Sequence, residues 1–118
     1  MFRYLCGVAF VAVLTLNCGI AAAEDNIESA KNMVPGCRGW LERTKEASPL
    51  GLVLQGLCVG LVKGVGYKKP GICIPPNSTN REALRIVVQY IDARPTRQQE
   101  SFLALALEAL RAQWPCKD

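Results

Sequence analysis

Four cysteines, Cys37, Cys58, Cys73 and Cys116, lie downstream of an N-terminal segment laid out like an export signal. This combination constrains the fold more than any other feature of the chain. A small domain buries a modest share of its surface on folding, and exported domains commonly make up the deficit with disulfides. The export reading rests on MFRYLCGVAFVAVLTLNCGIAAAEDN. It has one early positive charge at Arg3, an apolar run from Leu5 to Leu16, small residues at Ala21 and Ala23, and then Glu24-Asp25. That order predicts a secretory signal over 1–23, cleaved after Ala23, which removes Cys6 and Cys18. Residues 24–118 then form a single small domain, and its four thiols in an oxidising compartment read as two bridges.

The residue inventory excludes several function classes. The chain has no histidine, so Ser-His-Asp and Cys-His nucleophile pairs, HExxH zinc sites and histidine pH switches are all absent. The cysteines are separated by 20, 14 and 42 residues with no CxxC knuckle, so no metal site is expected. The net charge of +4 falls to +3 without Arg3, and the basic residues are scattered, with only Lys68-Lys69 adjacent among those that remain. A nucleic-acid surface needs a basic stripe, and there is none. Catalysis would have to use carboxylates such as Glu42, Glu82, Asp92, Glu100 and Glu108. Glu82 reads as a helix cap, Asp92 as part of a polar face, and Glu108 as an i, i+3 partner of Arg111. None has the buried, convergent setting that acid–base work requires. The chain is read as a non-enzyme, with no catalytic residue and no cofactor.

Helical periodicity dominates the chain beyond the signal. Ile27, Ala30 and Val34 predict a short first helix that Pro35-Gly36 ends or kinks, with a further turn or two over RGWLERTKEA. Ser48-Pro49 is an N-cap with a first-turn proline, opening a second helix over about 50–65. Thr79 and Glu82 have capping-box spacing ahead of a third helix, whose Leu84, Val87, Val88 and Ile91 form an i, i+3, i+4, i+7 stripe. Thr96 and Gln99 repeat that spacing for a fourth helix over about 97–113. Its apolar stripe is read as Leu103, Ala106, Leu107 and Leu110, broadened by Phe102 and Trp114. The expected fold is all-α: a small disulfide-linked bundle of about four helices, with one longer loop at 66–79.

The second helix, PLGLVLQGLCVGLVKGVG, also resembles a membrane span or a glycine-rich phosphate loop. Its uncharged apolar run from Leu50 to Val62 is shorter than the roughly 20 residues a span needs. Phosphate loops join a strand to a helix, whereas these glycines lie inside a helical pattern. The expectation is a buried central helix, with Gly56, Gly60 and Gly64 admitting a close neighbour and no stable membrane span once the signal is gone.

Four cysteines allow three pairings. In an up-and-down bundle, Cys37–Cys58 with Cys73–Cys116 avoids crossing the bundle's length. A loop folding back along the second helix would instead give Cys58–Cys73 with Cys37–Cys116. Geometric reach favours the first pairing and leaves the second open.

Taken together, GLCVGLVKGV, GICIPP, REALRIVVQYIDARP and ALEALRAQWPC resemble the Rap/Tai-type immunity protein family over about residues 33–117. The matching positions are Cys58 and Gly60, Cys73 and Pro75, Val87 and Val88 with Pro95, and Trp114-Pro115-Cys116; NMVPGCR around Cys37 fits the first cysteine of many members. The resemblance implies a periplasmic helical protein, a homodimer in many members, that shields a bacterium from a type VI secretion toxin. In the named members that toxin is a peptidoglycan amidase whose cleft the immunity protein plugs. On this reading the 66–79 loop is the plug, with Tyr67, Lys68 and Lys69 supplying contacts to the protein partner. The same lysines also read as an ordinary solvated turn. The alternative function is an accessory envelope protein that binds some other protein.

Overall fold

The computed structural model describes residues 28–43, 48–66 and 70–117. The predicted signal over 1–23, Ile27 and the Tyr67-Lys68-Lys69 triplet lie outside them.

The first helix, α1, spans Ala30–Leu41. Its N-cap is Ser29, whose hydroxyl accepts from the Asn32 N–H at 3.4 Å. Of the two expectations for Pro35-Gly36, an end or a kink, the end is not found: both residues lie inside the helix. An interior proline removes one backbone hydrogen bond and costs about 3 kcal/mol. Packing offsets that cost here. Pro35 faces solvent, while Met33, Val34, Gly36 and Cys37 on either side of it are buried. Arg43, just beyond the last turn, takes the left-handed φ of 53° that commonly terminates a helix.

Helix α2 spans Pro49–Gly66, and the Ser48 hydroxyl caps it by accepting from the Gly51 N–H at 3.0 Å. It runs antiparallel to α1, with which it makes the most extensive helix–helix contact of the fold. Gly36 makes this approach possible: a Cβ there would lie 2.6 Å from the Leu54 carbonyl. A disulfide between Cys37 and Cys58 joins the two helices where both are fully buried.

The expected burial of α2 is not found. Only Cys58, Val62 and Val65 of its eighteen residues are buried. Leu50, Leu52 and Val53 are more than half exposed, and a Cβ on Gly56, Gly60 or Gly64 would meet nothing within 4 Å among the described residues. The glycine stripe lies on the outer side of the helix, and α2 is peripheral. A helix that is apolar all round carries no phase in its hydrophobic pattern; here the bridge at Cys58 determines which side faces inward.

Helices α3, Asn80–Asp92, and α4, Phe102–Gln113, form the second hairpin and hold most of the core. The Thr79 side chain caps α3 by accepting from the Glu82 N–H at 3.1 Å. Leu84, Val87, Val88 and Ile91 are all buried, as their spacing predicts. The start of α4 differs from expectation. Pro95–Arg97 forms a single 3-10 turn, and the helix begins five residues later, at Phe102, behind the cap Ser101. Backbone bonds to the start of α1 fix this entry, with Phe102 N–H donating to Glu28 at 2.7 Å and Ala30 N–H to Glu100 at 2.9 Å. The later start rotates the apolar stripe to Phe102, Leu105, Ala106, Ala109 and Leu110. Leu103, expected inside, is 39% exposed. Four α-helices and no extended strand are found among the described residues, so the fold is all-α.

Candidate functional site

The connection from α2 to α3 is the first candidate. Its described part, 70–79, is fastened at several points. Gly71 takes a φ of 85°, a backbone state that glycine adopts freely. Ile72 is buried and pairs across to Pro115 as an isolated antiparallel bridge. The Cys73 N–H donates to Trp114 at 2.9 Å, and Cys73 is bonded to Cys116. Arg111 Nε donates to the Pro70 carbonyl at 3.3 Å, and the Ser78 hydroxyl closes a small turn on Pro75 at 2.7 Å. Ile74 is 38% exposed beside these fixed points. The ordering cost of this stretch has been met before any partner arrives, which favours tight binding. Tyr67, Lys68 and Lys69 precede the fastened stretch and lie outside the described residues.

Three of the candidate carboxylates, Asp92, Glu100 and Glu108, are held in structural pairs. Asp92 accepts from Arg38 across the α1–α3 contact. Glu108 does not pair with Arg111; Arg97 reaches it instead, at 2.7 and 2.9 Å, while the Tyr90 hydroxyl donates to it at 2.9 Å. Arg97 also holds Glu100 through two hydrogen bonds, at 2.6 and 2.8 Å. Stacking of the Arg94 guanidinium on the Tyr90 ring at 3.4 Å completes the cluster. Hydrogen bonds from Arg97, and then from Tyr90, hold the Glu108 carboxyl at about 2. Arg97 likewise lowers Glu100. A general acid at neutral pH needs the opposite shift. The cluster joins the 3-10 turn to α3 and α4. Helical periodicity does not reveal it, because Arg97 lies eleven residues from Glu108, outside any i, i+4 pattern.

The outer face of α2 is the second candidate, and the burial expectation concealed it. Leu52, Val53 and Leu57 are 57%, 53% and 41% exposed. They flank the bare backbone of Gly56, Gly60 and Gly64. A largely apolar cleft borders this face, lined by Met33, Leu57, Leu61, Phe102 and Leu103 with Glu28 and Ser101 as its polar members. By length and composition α2 could cross a membrane. Its inner side, however, is bonded to α1, which exposes Lys31 and Arg38. The sequence signal for this face was present: glycines at i, i+4 and i+8 in a helix without a polar side.

No group of His, Cys, Asp or Glu that could hold a metal ion occurs among the described residues. The profile of the Rap1a immunity proteins matches residues 21–116. No curated protein and no solved structure is a significant match to the chain. With a family profile covering most of its length, this chain belongs to the Rap1a immunity protein family.

Proposed function

We propose that this protein is exported to the periplasm, loses residues 1–23, and there neutralises a peptidoglycan amidase delivered by type VI secretion. Family membership supports the coarser part of this reading, a toxin-immunity role exercised by binding a protein toxin rather than by catalysis. Two disulfides fit an extracytoplasmic, oxidising location. The loop joining α2 to α3 would enter the toxin's cleft, with Tyr67 as its aromatic contact and Lys68 and Lys69 beside it.

The single observation that favours this loop is its fastening. The Cys73–Cys116 bond, the Ile72–Pro115 pairing and the Arg111–Pro70 hydrogen bond hold its C-terminal half against α4. A plug must keep its shape against the force of docking, and a rigid loop loses less entropy on binding than a mobile one.

The test is protection of a sensitive strain in which such an amidase is directed to the periplasm. Co-expression of this protein is expected to restore growth. Replacing Tyr67, Lys68 and Lys69 together with alanine should remove the protection without lowering the melting temperature. Lysis that continues with wild-type protein present would remove the amidase as target. Full protection by the triple variant would move the contact elsewhere.

A further inference from the structure

We propose that the Cys73–Cys116 bridge is a redox clip on the loop between α2 and α3. A dithiol reductant opens it, the loop leaves α4, and toxin binding is lost while the bundle stays folded. The loss of toxin binding rests on the plug role proposed for the loop; the opening of the clip does not.

The two bridges are placed differently. Cys37 and Cys58 lie inside α1 and α2 and are fully buried. A reductant reaches their sulfurs only when that hairpin comes apart. Cys73 and Cys116 lie outside the four α-helices, Cys73 exposed and Cys116 half-buried. Thiol–disulfide exchange brings the attacking sulfur onto a bridge sulfur, so access decides which bridge reacts.

The contacts around the second bridge set what its loss releases. It is accompanied by the Ile72–Pro115 pairing and by the Cys73 N–H bond to Trp114. Arg111 adds an exposed hydrogen bond to Pro70. Of residues 70–79, Ile72 alone is buried. One side chain and a few hydrogen bonds make a local attachment, of the kind that opens without global unfolding. The bridge joins residues 43 apart, so cutting it returns the freedom of a large closed loop to the open state. The bundle has its own support. Its core runs through α1 to α4, Cys37–Cys58 staples the first hairpin, and the Trp114 N–H stays bonded to Leu110 of α4 at 2.8 Å.

The exchange is a two-electron reduction. A thiolate of the dithiol attacks the exposed Cys73 sulfur, the S–S bond breaks, and Cys116 leaves as a thiolate. The reductant's second thiol then displaces Cys73 from the mixed disulfide. Two electrons and two protons pass to Cys73 and Cys116, and the dithiol becomes a disulfide. Once freed, the loop has lost its preorganisation, and docking bears the full cost of ordering it.

The test equilibrates the exported, oxidised protein in buffers of graded dithiothreitol to oxidised dithiothreitol ratio. Free thiols are trapped by alkylation, and binding to a peptidoglycan amidase toxin is measured in parallel. Half-opening of Cys73–Cys116 is expected at a ratio at least about ten-fold below that for Cys37–Cys58. There the Cys73 amide should exchange with deuterium at least about ten-fold faster, while the amides of Leu84, Val87 and Leu110 keep their protection. Toxin affinity should fall at least about ten-fold and return on reoxidation. Cys73→Ser combined with Cys116→Ser should match the reduced form without reductant, and dithiothreitol should not weaken its binding further. Opening of both bridges at one ratio would overturn the proposal, as would a Cys73 amide that stays protected after reduction. Toxin affinity unchanged by reduction would sink the switch and leave the toxin role standing. Oxidised protein that binds no amidase would sink both together, a pattern distinct from each of the others.

Discussion

A Cβ on Gly36 would fall 2.6 Å from the Leu54 carbonyl, whereas one on Gly60 would meet nothing within 4 Å among the described residues. The same substitution at the two sites therefore has opposite signs. Gly36→Ala should destabilise the protein by about 2–3 kcal/mol, because backbone cannot yield as a side chain can. Gly60→Ala should stabilise dilute protein by up to about 1 kcal/mol through helix propensity. Urea unfolding of both checks the pair, and equal effects would contradict the observed packing. Sequence spacing drew attention to the glycines of α2; the tight glycine is on α1, beside a proline, where no pattern marks it. Glu108 gives a second residue-scale prediction. Its folded value of about 2 lies below the ordinary 4.5. The stability it contributes is complete above 4.5 and disappears as pH falls through about 2. Glu108→Gln should flatten the acid loss of stability between those limits. At neutral pH it should cost about 1 kcal/mol or less, since the side chain is 39% exposed and water screens the pair.

Among the elements, α3 matches its sequence pattern most closely, because charged residues flank its stripe and fix the phase. Helix α4 does not. FLALALEAL is apolar at nearly every position, so several stripes fit it equally, and the Ser101 cap with the bonds to Glu28 and Ala30 decides among them. Alanines at 106 and 109 then face inward, where small side chains let helices approach. Helix α1 overrides a strong local signal. Pro35 sits in its middle with the ring exposed. Pro35→Ala restores a backbone donor without removing core packing, and should stabilise the protein by about 1–3 kcal/mol. A fall in the denaturation midpoint would mean that the ring packs against something.

For the whole molecule, the two sulfur bridges have different surroundings. Cys37 and Cys58 are fully buried between α1 and α2, while Cys73 is exposed and Cys116 half-buried near the C-terminus. Chain-entropy bookkeeping assigns roughly 3 kcal/mol to the first and about 4 to the second. The second should nevertheless open first under mild reductant, because exchange needs access to sulfur. Alkylation after brief dithiothreitol treatment should therefore label Cys73 and Cys116 ahead of Cys37 and Cys58. Non-reducing peptide mapping should recover Cys37–Cys58 and Cys73–Cys116. A Cys58–Cys73 peptide would contradict the fold, since it would pull the loop from α4.

Sequence alone was enough for the helical class, for the caps at Ser48 and Thr79, and for the core stripe of α3. These arise from local rules, namely hydrogen bonds to orphan amides and the 3.6-residue period, that act within one element. It also carried the motifs that tie this chain to an immunity family. Only the tertiary structure decided which side of α2 faces inward, where α4 begins, and that Arg97 rather than Arg111 holds Glu108. Each of those outcomes depends on contacts between residues far apart in the chain. Where an element is apolar on every side, its own residues cannot rank the alternatives, and the neighbour that packs against it makes the choice.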